Sequence, residues 1–414
     1  MSNNQGLPAP NPARFNQVAR LVRQNMQSVS ISATATGAAQ QLAPIELPSV
    51  GYHFRVFNWF KTTITVGDIT SARLRSNADL ANTNLRFPAP WGLVNRSRYT
   101  INGASDIWNL PGYENYLLQL AASKGRKPKF ANDVFGGVAA NPTVLIQTGS
   151  RGFASKEQMF GLAVQSGTTP LLTYTFLEDD GVLVDSTNIN MNFMLAHPLT
   201  LGESAVAGLI PVQDYRIKPQ LQIELGNVGD LIVNPTNCSL AGAIYTVCDY
   251  FEAPRDARPD TRFIKQTRFQ TEAMSGTGEK RFAPQLGGVL LRTFISLWHG
   301  SATGTSMYAV NLDEQVGQTG FRVQQNTTIE DVGAAFRAHD ELRYYGKLLP
   351  SNVLSYDHIA SGFGDPGLPS LRDRIESGKL TKLEYFWNQN VLTTAGEQRA
   401  AFEQLLPLPK VTGG

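Results

Sequence analysis

Five histidines, two cysteines and one acidic run are the residues of this 414-residue chain whose types could do chemistry. Their spacing assembles none. His53, His197, His299, His339 and His358 fall one to an element, so no pair has the short spacing with which histidines chelate a metal. Cys238 and Cys248 are too few for a disulfide framework or a zinc site, and Cys248 lies in a strand-like run where a thiol acts as a small buried hydrophobe. Glu178, Asp179 and Asp180 precede Gly181 in what reads as a hairpin tip, and a solvated acidic turn needs no bound calcium. His339, Asp340 and Glu341 are consecutive on a predicted helix, so they point in different directions and share no site. Gly346-Lys347 and Gly378-Lys379 both continue with leucine and lack the upstream glycine of a phosphate loop. Neither HExxH nor GxSxG occurs. The sequence therefore predicts no catalytic residue, no metal site and no cofactor, and the protein is expected not to be an enzyme.

The elements that would position any site are mostly strands. From Val50 the apolar residues fall on even positions, with Tyr52, Phe54, Val56, Phe60, Ile64 and Val66 on one face. An unbroken run of this length exceeds an ordinary strand, so a bend or bulge is expected within it. Asn102-Gly103 between two strand-like runs is a strong hairpin signal. Pro111-Gly112 then leads into a predicted helix that Gly125 ends. Leu172, Tyr174 and Phe176, then Ile189, Met191, Phe193 and Leu195, then Leu221, Ile223 and Leu225 each alternate with neighbours on the opposite face. The half closes on AIYTVCDYF, 243–251.

A chain of this length exceeds what one core serves, and the proline-bearing link from Pro254 to Pro259 marks a boundary. Beyond it, GVLLRTFISLWHG reads as a strand buried on both faces, residues 329–346 as a helix, and LEYFWNQNV, 383–391, as a closing strand. The five tryptophans, Trp59, Trp91, Trp108, Trp298 and Trp387, sit in strand runs and are assigned to cores. EQRAAFEQLLPLPK reads as a short helix stopped by Pro407. The predicted organisation is 1–49 as an N-terminal helix and extended arm, 50–254 and 255–391 as two sandwiches, and 392–414 as a tail.

In the first region Asn11-Pro12 opens a helix, with Asn as N-cap and Pro at the first helical position. Phe15, Val18, Val22 and Met26 make an apolar stripe flanked by Arg14, Arg20 and Arg23. These seven residues are the predicted contact with a partner or an anionic membrane, and packing on the protein's own domain is the alternative. The polar stretch that follows reads as an extended arm. A formal net charge of +2 argues against coating nucleic acid, and 17% charged residues leave much surface uncharged for subunit contacts. No secretory signal or membrane-spanning stretch is expected.

Residues 88–125, PAPWGLVNRSRYTINGASDIWNLPGYENYLLQLAASKG, resemble the major capsid proteins of tectivirus-like bacteriophages. The positions that carry the resemblance are Leu93, Val94, Arg96, Pro111, Gly112 and Tyr113, followed in order by MNFMLAHPLTLGES, KPQLQIELGN, GAIYTVCDYFEAP, RYYGKLLPSNVLSYD and LTKLEYFWNQN. The resemblance covers most of the chain in order and spacing, and excludes 262–287 and the residues after Val391. It implies a mainly β fold of two tandem eight-stranded jelly-roll sandwiches, a double jelly roll. It also implies homotrimers that tile an icosahedral virion over an internal membrane, partnered by neighbouring trimers and by minor capsid and vertex proteins. Assembly in the host cytoplasm is part of the same expectation. A jelly-roll carbohydrate-binding protein or glycosidase, and a minor vertex or spike protein, are the alternatives.

Overall fold

The computed structural model describes residues 10–34, 37–66, 85–86, 90–103, 105–122, 173–174, 188–201, 208–213, 217–231, 238–259, 261–285, 287–300, 307–309, 312–324, 327–345, 349–350, 352–359, 374–390 and 396–407. The acidic run Glu178 to Asp180 and the strand expected at Phe176 lie outside them.

In the first half, helix α1 (Pro12–Val18) is followed by β1 (Arg20–Asn25), β2 (Val29–Thr34), β3 (Tyr52–Val66), β4 (Val94–Ile101) and β5 (Ser105–Leu110). Helix α2 (Gly112–Ala122), β6 (Asn188–Pro198), β7 (Pro219–Leu225) and β8 (Cys238–Glu252) complete it. A six-stranded sheet runs β1-β8-β3-β6, with β2 on β8 and Ile210–Pro211 on β3. Opposite it stand β5, β4 and β7. Phe60, Ile64, Phe193 and Ile244 of the first sheet share one buried cluster with Tyr99, Trp108, Leu221 and Ile223 of the second. The alternation expected for β3 and β7 is therefore the alternation of a sandwich wall. Asn102 and Gly103, in the turn between β4 and β5, both take positive φ, 54° and 69°, the left-handed conformation that Asn and Gly accept most readily. The irregularity expected in β3 is a bulge at Phe54, where Asp249 faces Arg55 and Tyr250 already faces His53.

The second half continues with β9 (Phe263–Met274), β10 (Gly278–Phe282), β11 (Val289–Gly300), β12 (Val316–Val323), β13 (Thr327–Gly333), helix α3 (Ala334–Tyr345), β14 (Val353–Asp357), β15 (Leu383–Gln389) and β16 (Gly396–Pro407). A four-stranded sheet, β10-β15-β12-β13, packs Phe282, Phe321, Tyr385 and Trp387 against Leu290, Leu297, Leu354 and Phe402. Those last residues belong to a ten-stranded sheet that reaches across both halves in the order Met307–Ala309, β11, β16, β9, β5, β4, β7, Gln40–Gln41, with β14 on β11 and Ile45–Glu46 on β7. The join is the parallel neighbouring of β9 and β5, where Thr267 faces Trp108. Two cores thus share one continuous sheet. Every residue of β11 from Leu290 to Trp298 is buried, as its unbroken apolar run predicts.

Three expectations are corrected. Residues 396–407 form a strand, not a helix in a tail: β16 lies between β9 and β11, and the burial of Ala400, Ala401, Phe402 and Leu405 overrides the helix propensity of its Ala, Glu and Gln. The helix expected at 329–346 begins only at Ala334, because Thr327–Gly333 pairs with β12. Trp59 is half-buried on the outside of its sheet, whereas Trp91, Trp108, Trp298 and Trp387 are core residues.

Helix α2 wedges the two halves together. Tyr113 donates to Asn352 Oδ1 at 2.7 Å and meets Trp298 edge-on at 5.4 Å, while Tyr116 stacks on Trp91 at 3.6 Å. A Cβ on Gly112 would stand 2.2 Å from the Trp91 carbonyl oxygen. Gly112→Ala must therefore push the helix off its seat, at a cost of about 1–3 kcal/mol typical of overpacking. Denaturant unfolding should show this loss, and a stability equal to the parent's would contradict the wedge.

Candidate functional site

The N-terminal residues singled out by sequence are not one helical stripe. Asn11 caps α1 as expected, its Oδ1 accepting from Arg14 N at 3.1 Å, but the helix ends at Val18 and Ala19 is already extended. From Arg20 the chain is a strand paired antiparallel with β8, Arg20 opposite Glu252 and Asn25 opposite Val247. After Asn25, β2 continues along the same edge, Val29 opposite Ile244. Nor is the stretch to residue 49 a loose arm, because Ile31, Leu42, Ile45 and Leu47 are buried in the main core.

Each of the seven residues then has a distinct place. Phe15 is 1% exposed and plugs a small cluster with Tyr52, Phe54 and Leu209, its ring edge-on to Tyr52 and Phe251. Val22 and Met26 pack against the main core. Arg14 is half-exposed and pairs with Asp256 at 2.7 Å. Arg23 makes a two-pronged contact with the buried Asp249, Nε to Oδ1 at 2.8 Å and Nη2 to Oδ2 at 2.9 Å, and Arg55 Nε adds a third bond at 2.8 Å. Burial opposes the Asp249 charge, yet these hydrogen bonds hold its carboxyl below the usual aspartate range. Val18 and Arg20 remain on the surface.

The histidines show the same commitment to structure. His53 Nδ1 lies 2.8 Å from the Tyr99 hydroxyl and Nε2 2.7 Å from the Pro48 carbonyl, so Nε2 donates and Nδ1 accepts. His197 Nε2 lies 2.5 Å from Ser97 Oγ, a distance suited to a nucleophile and its base. Both side chains are sealed in the core, however, beneath Trp108 and beside Asn58, which in turn accepts from Thr246. The group satisfies buried polar atoms and offers no surface to a substrate. Glu341 is buried and accepts from Leu349 N and Ser355 Oγ, while His339 points outward. Among the described residues no three acidic, histidine or cysteine side chains gather as a metal site, and no helix is long and apolar enough to cross a membrane.

What sequence reading passed over is the outward face of the six-stranded sheet. Because Val56 and Phe60 point inward, the odd positions Phe57, Trp59 and Lys61 must point out, and the register sets Met194, Trp59 and Tyr245 in one cross-strand row. Tyr245 is 45% exposed and Phe57, Trp59 and Met194 are half-buried. Lys61 Nζ stands 5.6 Å from the Tyr245 ring, and Arg23 and Arg55 approach the Phe57 ring at 5.9 and 4.9 Å. This is a flat surface of aromatic rings and cations, suited to contact rather than to reaction.

No protein-family description and no curated sequence matches the chain. Solved structures do. The major capsid protein of Sulfolobus turreted icosahedral virus aligns with a TM-score of 0.58 at 12% identity, covering 94% of this chain and 97% of that one. The capsid of the virus PBCV-1 aligns with a TM-score of 0.53 at 8% identity, covering 94% and 93%. At these identities the likeness is one of fold: the chain has the double jelly-roll architecture of viral major capsid proteins.

Proposed function

We propose that the chain is the major coat subunit of an icosahedral virion, built as homotrimers of pseudo-hexagonal outline that tile the shell. The observation that carries this reading is two sandwiches joined through one ten-stranded sheet in a single chain, matching a viral coat protein from end to end. A rigid pair of sandwiches presents two similar blocks per chain, so three chains give six, and a closed three-fold ring buries large uncharged surfaces. Neighbouring trimers are then the principal partners, with minor capsid and vertex proteins at special positions. Val18 and Arg20 would touch a neighbour or the anionic surface of an internal membrane, while Phe15, Val22, Arg23 and Met26 hold the segment to its own subunit and Arg14 ties it to Asp256. Assembly would take place in the host cytoplasm, and the protein's place is the virion shell.

Sedimentation velocity of the purified chain at micromolar concentration is expected to return a single trimeric species, and negative-stain images a hexagonal outline. A stable monomer under those conditions overturns the reading.

A further inference from the structure

We propose that the aromatic outer face of the β1-β8-β3-β6 sheet packs against the β13 edge of a second copy of this chain, Lys61 meeting Asp331. The inference rests on the trimer reading and supplies its contact residues. An antiparallel sheet with one solvated face should carry polar residues there. Here two rows at the middle of the outer face are instead Met194, Trp59 and Tyr245, then Ala196, Phe57 and Val247, so the face carries an apolar centre flanked by Lys61 and Arg55. The four-stranded sheet of the second sandwich differs. Its outer face is closed by its own ion pairs, Glu279 bonding Arg322 at 2.8 Å and Arg281 at 2.7 Å, with Arg322 lying 4.0 Å over the Phe386 ring. One face is self-satisfied and the other is not.

Charge identifies the occupant. Lys61 is exposed and forms no ion pair among the described residues, and Arg23 and Arg55 both bond Asp249 beside the rings, so Lys61 is the cation that the aromatic face offers to a partner. β13 is an edge strand of the second sandwich with the opposite character. It exposes Ile329, at 57% the most exposed large hydrophobic side chain among the described residues, and beside it Asp331, which has no ion pair among them. Asp331 makes no direct ion pair and only feels Arg322 of the neighbouring strand, so an apolar side chain next to this edge carboxylate complements rings next to the Lys61 ammonium. The two surfaces lie on different sandwiches, so the contact is heterologous and repeats around a closed ring.

The test uses the full chain, with Lys61→Glu and Asp331→Lys made separately and together, and Tyr245→Arg as an independent probe of the face. All three substituted positions lie outside the cores, so circular dichroism should match the parent. Each charge reversal is expected to raise the trimer dissociation constant about 10-fold, and the double variant to return within about 3-fold of the parent. Tyr245→Arg should raise it about 30-fold or more, as for a central interface aromatic. If the parent is a trimer and both Tyr245→Arg and Lys61→Glu leave its dissociation constant unchanged, the face is not the interface, although the trimer stands. Failure of the double variant to recover would show that β13 is not the counter-surface. Soluble β-glucan bound by the parent and lost in Tyr245→Arg, with trimers intact, would make the face a carbohydrate platform and overturn the proposal. A monomeric parent would overturn the trimer reading itself.

Discussion

Replacing Glu403 with glutamine is expected to lower the unfolding free energy by about 3–5 kcal/mol, the range for breaking a buried ion pair from one side. Glu403 sits on β16 between two buried cations, its Oε1 2.7 Å from Lys265 Nζ on β9 and its Oε2 3.2 Å from Arg292 Nε on β11. Arg292 also lies 3.6 Å from Asp357 Oδ2 on β14, and that oxygen accepts from the Tyr345 hydroxyl at 2.9 Å. None of the four charged side chains is more than 9% exposed. Burial works against the Glu403 charge, and the two cations outweigh it, so the carboxyl titrates below the usual glutamate range. Glutamine keeps the shape and removes the charge. Arg292 then retains Asp357, but Lys265 is left with a neutral amide oxygen and the face of Trp108, 5.7 Å away, in place of a carboxylate for its ammonium. A loss of this size is a large part of a domain's ordinary stability of about 5–15 kcal/mol. The companion variant Lys265→Met with Glu403→Leu removes both charges and should recover most of the loss, since apolar replacements of buried pairs are often neutral. Denaturant unfolding of the three proteins decides it. A Glu403→Gln variant within about 1 kcal/mol of the parent would show that the cluster is hydrated and weakly coupled.

The strand pairs that place Glu403 illustrate what a linear pattern conveys. Strict alternation made β3, β6 and β7 readable, because a residue that is apolar every second position has one structural solution. The stripe at Val18, Val22 and Met26 had two. A spacing of four is one helical turn and also two strand repeats, so the same residues satisfy either period. Pairing with β8 decided for the strand, and only tertiary contact could. β16 was misread for the complementary reason: Ala400 and Ala401 are good helix formers, and they serve a strand here because small side chains fit between β9 and β11. The ion pairs Arg23 to Asp249 and Lys265 to Glu403 span more than a hundred positions each, which no local pattern records. The outward row at Trp59 and Tyr245 was legible in principle. The parity that sends Phe60 inward sends Trp59 out, and the general tendency of tryptophan to be buried obscured it.

Stability should fall as pH drops below about 6.5, ahead of most carboxylates, because two histidines are fully buried uncharged and a third is half-buried and uncharged. Burial pushes His53 and His197 down to about 4, partly offset by the carbonyls of Pro48 and Val56, and pushes His358 down to about 3 with Arg337 adding to the effect. In the unfolded chain each returns to about 6.5. As pH falls through that value the unfolded state takes up protons that the folded state refuses, so unfolding is favoured. The stability contribution is intact above pH 6.5 and is lost progressively down to the folded pKa values. Each histidine gives a slope of up to about 1.4 kcal/mol per pH unit in this window. Glu114 and Glu330 oppose it, since burial raises both carboxyls and favours their protonated forms in the folded state. Asp249 and Glu403, held low by their cations, begin to lose their contributions as pH falls through the ordinary carboxylate range and finish losing them at their lowered folded values, so the histidine loss stands alone only above that range. His53 should matter most for the N-terminal segment. Its Nε2 hydrogen bond holds the Pro48 carbonyl, and a proton on Nδ1 would displace the one that the Tyr99 hydroxyl now donates there. Urea unfolding at pH 7.0, 6.0 and 5.0 should show a progressive loss, and His197→Gln should flatten the slope by about one histidine's share while lowering stability at pH 7. A stability constant from pH 7 to pH 5 in the parent would mean that the histidines are protonated in place or already reached by water.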